Sequence, residues 1–124
     1  MNAGFSKSER LSGKKNIATL VKCGKWGVTA HLKYCYHSNS VGVNRILVSA
    51  PKKFFKRAVK RNLLKRRIRE SYRTQKALLF PPSPLTGRGT DVLIQYNSPD
   101  IVDFAIIKAE VASVLASVSS KMSM

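Results

Sequence analysis

Apolar side chains recur along this chain with two different periods, and the points where the period changes delimit its elements. Ile17, Leu20 and Val21 fall at i, i+3 and i+4, which predicts a one-faced helix from Lys14 to Cys23 with Gly24 as its stop. Over 25–36 the sequence "KWGVTAHLKYCY" alternates instead, so Val28, Ala30, Leu32, Tyr34 and Tyr36 are expected on the buried face of one strand. "HSNS" reads as a turn. The β-branched run "VGVNRILVSA" (41–50) predicts a second strand, paired with the first as a hairpin and ended by Pro51, which cannot donate to a ladder.

The helical period returns in "AVKRNLLKRRIRESYR" (58–73), where Leu64, Ile68 and Tyr72 stack on one face. Three prolines and two glycines in 80–89 exclude regular structure, and a loop is expected over 80–90. "DVLIQYN" (91–97) is a short apolar run bounded by turn residues, as a central strand would be. Ser98, Pro99 and Asp100 offer a capping hydroxyl, a proline for the first helical position and an acid for the positive helix end. A last helix follows, with Phe104, Ile107, Val111, Val114 and Val118 on one stripe. The order of helix, strands, helix, strand, helix predicts an α+β domain, a sheet with helices packed on it.

A chain of 124 residues, 44% hydrophobic, suits one domain over 1–124, with looser ends at 1–9 and 119–124. Charge changes the picture more than size does. With 23 Lys plus Arg against 6 Asp plus Glu, the net charge is +17, and such self-repulsion calls for a polyanionic partner, either nucleic acid or an anionic membrane. No apolar run of membrane-spanning length occurs and "MNAGFSKSER" lacks an apolar signal core, so a cytoplasmic protein is expected. Cys23 and Cys35 form no C-x-x-C, and His31 and His37 match no common zinc spacing, so reduced structural thiols and no metal site are expected. Asp91, Asp100, Asp103 and Glu110 are scattered, and no catalytic residue is assigned.

The cations are concentrated. Within 52–76 stand 12 of the 23, with Glu70 the only acid, whereas an ordinary solvated helix mixes signs to gain i, i+4 pairs. Asn62, Arg66, Arg69 and Arg73 form a stripe about a third of a turn from the apolar face, widened by Lys60, Arg61 and Lys65. A guanidinium holds two phosphate oxygens at once, and Asn62 can bond a sugar hydroxyl or a base edge. A basic amphipathic helix can also lie on anionic lipid, but this apolar face lacks Trp and Phe and is needed for the core. Composition and pattern thus reach a nucleic-acid-binding α+β domain, without saying which nucleic acid.

A strand ending in "VS", then "KK", "AV" and the block "RNLLKRRIRE", with Arg61, Asn62, Lys65, Arg66, Arg69 and Glu70, resembles the protein subunit of bacterial ribonuclease P. "ERL" at 9–11, Gly24 closing the first helix, "DVLIQY" after a proline-rich gap and the final amphipathic helix extend the resemblance from about residue 10 to 118. Leu63 stands where the family's signature has a second arginine. The resemblance implies a fold like the second domain of ribosomal protein S5. That is a mostly antiparallel four-stranded sheet packed with helices, in the order α-β-β-β-α-β-α, with a left-handed β-α-β crossover. It also implies removal of the 5′ leader from precursor tRNA, with the reaction done by an RNA subunit and Mg²⁺ held mainly by RNA phosphates.

Two surfaces follow from the resemblance. Arg57, Lys60, Arg61, Asn62, Lys65, Arg66, Arg69 and Arg73 would grip the catalytic RNA as a monomer, one protein per RNA. The sheet and first helix would take the precursor's single-stranded leader, with Tyr34 or Tyr36 stacking a base and Lys33 or Lys53 on phosphate. The first-helix positions that carry aromatics in the family are Ile17 and Val21 here, which leaves shape and apolar contact. Two rivals remain: a structural RNA-binding protein of ribosomal type, which would not affect tRNA processing, and a self-sufficient nuclease, against which the missing carboxylate cluster argues.

Overall fold

In the computed structural model, which describes residues 10, 11, 13–79 and 87–122, the alternating stretch 25–36 is two strands rather than one. The order is α1 (Lys14–Cys23), β1 (Lys25–Val28), β2 (Leu32–Asn39), β3 (Arg45–Ser49), α2 (Ala58–Gln75), β4 (Gly89–Tyr96) and α3 (Phe104–Met122), with a 3₁₀ turn at Lys76–Leu78 after α2. Residues 29–31 turn the chain back, so that Trp26 pairs with Cys35 and Val28 with Lys33. Paired residues share a face, and because four residues separate Val28 from its partner Lys33, even-numbered positions of β1 share a face with odd-numbered positions of β2. Trp26 and Val28 lie with Lys33, Cys35 and His37, on the opposite side from Leu32, Tyr34 and Tyr36.

The sheet order is β1-β2-β4-β3. β1 with β2 and β2 with β4 are antiparallel, whereas β3 with β4 is parallel. This is the mostly antiparallel four-stranded α+β sheet that was expected, but the expected hairpin between 25–36 and 41–50 is absent. β4 stands between those strands because a parallel pair needs a long crossover, and α2 supplies it. β4 begins at Gly89, inside the span expected as loop, while 80–86 lie outside the described residues, as do 1–9. α3 continues to Met122, so 119–122 are helical rather than loose.

Two cores result, one on each side of the sheet. On the first face Leu32, Tyr34, Tyr36, Ile46, Val48, Val92, Ile94 and Tyr96 meet Leu64, Ile68 and Tyr72 of α2 and Ile107, Val111, Val114 and Val118 of α3. The stripes of α2 and α3 read from the sequence are the ones buried, except that Phe104, in the first turn of α3, stays 36% exposed. On the second face Leu20 of α1, with Leu11, covers Cys35 and Leu93, flanked by Ile17 and Leu47. Gly24 ends α1 in extended backbone (φ −74°, ψ 163°). A Cβ there would come 2.4 Å from Cys35 Sγ and from the Leu20 carbonyl, so close approach, not a left-handed cap, explains the glycine.

The expected cap at Ser98 is also corrected. Its hydroxyl accepts from the Asp100 N–H at 3.1 Å within a turn, and α3 starts only at Phe104, with the Asp103 carbonyl accepting from Ile106 and Ile107. The Tyr96 hydroxyl holds the intervening segment by donating to the Asp100 carbonyl and accepting from the Val102 N–H. Arg67 ties the same segment to α2 by donating to the Val102 carbonyl at 2.8 Å. That latch leaves Arg67 out of the cationic stripe. No helix among the described residues is long and apolar enough to cross a membrane.

Candidate nucleic-acid interface

α2 presents the first surface. Leu64, Ile68, Ser71 and Tyr72 are its buried residues, while Lys60, Asn62, Arg66 and Arg69 are exposed and Arg61, Lys65 and Arg73 are partly so. The buried Ser71 hydroxyl is satisfied by its own helix, donating to the Arg67 carbonyl at 2.7 Å. Arg57, at the N-cap, is exposed and makes no capping bond, and the first turn holds no acid. Cations at the positive end of a helix each cost roughly 0.3–1 kcal/mol, so this end is arranged for an anion rather than for stability.

Two arginines are already engaged. Arg61 donates from one guanidinium nitrogen to the carbonyls of Phe55 (2.9 Å) and Lys56 (2.6 Å), which fixes the segment leading into α2. Arg73 forms a two-bond pair with Glu70, Nε to Oε2 at 2.9 Å and the terminal nitrogen to Oε1 at 2.5 Å. These bonds hold the Glu70 carboxyl below its ordinary range and push the Arg73 guanidinium further up. Arg66 and Arg69 are thus the exposed guanidinium groups of the stripe. Lys53 is exposed in the turn between β3 and α2, with its ammonium 4.8 Å from the Phe54 ring centroid.

The second surface is the part of the sheet's second face that α1 leaves uncovered. Lys33 is exposed there, Ile17 is partly buried and Val21 is 44% exposed. The tyrosines expected beside them are on the other side. Tyr34 and Tyr36 are only 8% and 4% exposed, stacked 6.3 Å apart in the first core. The Tyr34 ring lies over Gly27, where a Cβ would come 2.4 Å from Cζ, and its hydroxyl reaches Ser117 of α3 at 3.4 Å. Neither ring offers a face to a base, which corrects the expectation that one of them stacks on the leader.

The exposed ring on the open side is that of Trp26, 42% exposed, with the Lys33 ammonium 4.8 Å from its ring centroid. Sequence reasoning passed over it because 29–31 contain neither Gly nor Pro, and the turn looked like continued alternation. By number Trp26 is in phase with Tyr34 and Tyr36, so only the β1–β2 register reveals that it faces the other way.

Two carboxylates anchor the strands of the sheet. Glu110 of α3 accepts from the Thr29 hydroxyl (2.5 Å) and the His31 N–H (2.8 Å), and its other oxygen lies 2.5 Å from His31 Nδ1, fastening the β1–β2 turn to α3. Burial pushes the Glu110 carboxyl up, but the bonds from Thr29 and His31 outweigh it and hold the group below its ordinary value. At the far end Arg45 binds Asp91 through two bonds of 2.8 Å, and Asn39 donates to the same carboxylate at 2.7 Å. The Asp91 bond raises the Arg45 pKa, and the pair ties β2, β3 and β4 together. Among the described residues no three His, Cys, Asp or Glu side chains come together as metal ligands, and neither cysteine is in a disulfide.

The family model described as ribonuclease P matches residues 5–119. A ribonuclease P protein component of Porphyromonas gingivalis is 47% identical over 79 residues, covering 61% of this chain and 58% of that protein. One from Nitrosococcus oceani is 34% identical over 76 residues, covering 61% and 64%. These matches therefore span less than two thirds of the relatives' length. Among solved structures, the ribonuclease P protein of Thermotoga maritima shares the fold with a TM-score of 0.73 at 23% identity, over 88% of this chain and 96% of that one. A Staphylococcus aureus ribonuclease P protein mutant gives 0.71 at 19% identity, over 92% and 90%.

Proposed function

The chain belongs to the ribonuclease P protein family, and from that premise we propose that it is the RNA-binding protein subunit of ribonuclease P, assisting a catalytic RNA in removing the 5′ leader of precursor tRNA. The observation that carries the reading is the pairing of two unlike surfaces. α2 offers exposed guanidinium groups and an uncapped cationic end, suited to phosphates held at fixed spacing in a folded RNA. The second sheet face offers an exposed ring, apolar side chains and a lysine, suited to an unpaired strand.

The chain's part in the reaction is electrostatic and positional. Lys60, Lys65, Arg66 and Arg69, with Arg57 at the helix start, offset the repulsion between two polyanions by displacing counterions from the catalytic RNA. Arg61 holds the approach to α2 in place, and Asn62 bonds a sugar or base edge. Ile17, Val21, Lys33 and, at the margin, Lys53 border the path of the leader. Mg²⁺ would sit on RNA phosphates, since the described residues gather no ligand set of their own. One monomer per RNA, working in the cytoplasm, completes the proposal.

The test is reconstitution. Adding the protein to its cognate catalytic RNA at low Mg²⁺ is expected to restore leader removal from precursor tRNA. Failure to restore it, with RNA affinity intact, would leave a general RNA-binding protein.

A further inference from the structure

We infer that Trp26 is a stacking platform, on which an unpaired nucleotide lays its base while Lys33 takes the adjoining phosphate. This deepens the proposed function and rests on its assignment of a single strand to the second sheet face.

The geometry sets Trp26 apart from every other aromatic in the sheet. Tyr34, Tyr36 and Tyr96 are at most 8% exposed, sealed under α2 and α3, whereas Trp26 keeps 42% of its surface open. β1 is an edge strand that packs on β2 and on no helix. Trp26, Cys35, Leu93 and Leu47 form one row across the face through their register. Leu93 and Cys35 are buried beneath α1, so the row emerges from that core and ends at the exposed indole. Val28, 68% exposed and paired with Lys33, continues the apolar floor beyond it.

Ring and charge are also matched to a nucleotide. The Lys33 ammonium lies 4.8 Å from the indole centroid, within cation–π range. An exposed cation–π contact is weaker than the stack of a base on an aromatic ring, so an arriving base displaces the ammonium, which stays close enough to meet the phosphate on the same strand. Every base has a π-face, so such a site accepts leaders of differing sequence. The β1–β2 turn is fastened to α3 through Glu110, which holds the platform still before RNA arrives.

The chain contains one tryptophan, so its emission reports on this ring alone. The full-length protein would be titrated with single-stranded oligouridylate and, separately, with an RNA duplex. The inference expects emission to be quenched along the single-strand binding curve and not by the duplex. It expects Trp26→Ala to weaken single-strand binding on the order of tenfold with the salt slope unchanged, and Trp26→Phe to recover most of the loss. Far-ultraviolet circular dichroism checks that both variants fold. Single-strand binding that leaves emission unchanged and survives Trp26→Ala overturns the inference while the leader assignment stands. A wild-type protein that binds the catalytic RNA but no single strand overturns both.

Discussion

The two faces of the sheet carry aromatic side chains with opposite fates, although only a few residues separate them along the chain. Tyr34 and Tyr36 lie in a core closed by two helices, and Tyr34 fits only because Gly27 has no side chain beneath it. Trp26, one residue away from that glycine, points to the other face and stays open. The difference teaches that residue type does not decide whether an aromatic ring serves stability or recognition. The helix that covers it, or fails to, decides.

The sharpest way to break this contrast is Tyr34→Ala, which should cost about 3–5 kcal/mol of stability by opening a cavity in the first core. Chemical denaturation would show it, and RNA binding by the variant that remains folded should keep its preference for precursor over mature tRNA. An unaltered midpoint would mean that Tyr34 is not part of the core. Gly27→Ala comes next, at about 1–3 kcal/mol, because the new methyl drives into the Tyr34 ring.

Glu110→Gln probes what holds the two faces in register, and is expected to cost about 1–2 kcal/mol by weakening charge-assisted bonds to Thr29 and His31. The folded carboxyl is depressed, so its contribution is complete above the unfolded value near 4.5 and is lost as pH falls through the lower folded value. Wild type should therefore lose stability over that acid window more steeply than the glutamine variant. Parallel pH profiles for the two proteins would remove the latch from the account.

The smallest effect on folding is expected from Arg66→Ala, within about 0.5 kcal/mol, since the side chain is exposed. Its effect belongs to RNA. Affinity for the catalytic RNA should fall and the slope of log K against log salt should flatten by about 0.7–0.9, the loss of one phosphate contact. A change confined to leader affinity would move α2 to the other surface.

The family motif and the stripes of α2 and α3 could be read from the chain because helical faces are local. Leu64, Ile68 and Tyr72 meet at a spacing set by the helix itself, and Arg66 and Arg69 then have nowhere to point but outward. α1 was likewise legible to its last residue. The site on the sheet was not, since a face depends on parity, parity on the length of an unmarked turn, and neither carries a compositional signature. The same holds for Arg61 and Arg67, which look like their neighbours in the sequence but spend hydrogen bonds on carbonyls of Phe55, Lys56 and Val102.

What the sequence determined by itself was therefore a charge that needs a polyanion, a family, and helices whose two sides follow from a local period. Only the tertiary structure decided which strands are neighbours and which aromatic faces water. Strand order and facing come from pairings between distant segments, β2 with β4 and β3 with β4, and no local run of residues records its partner.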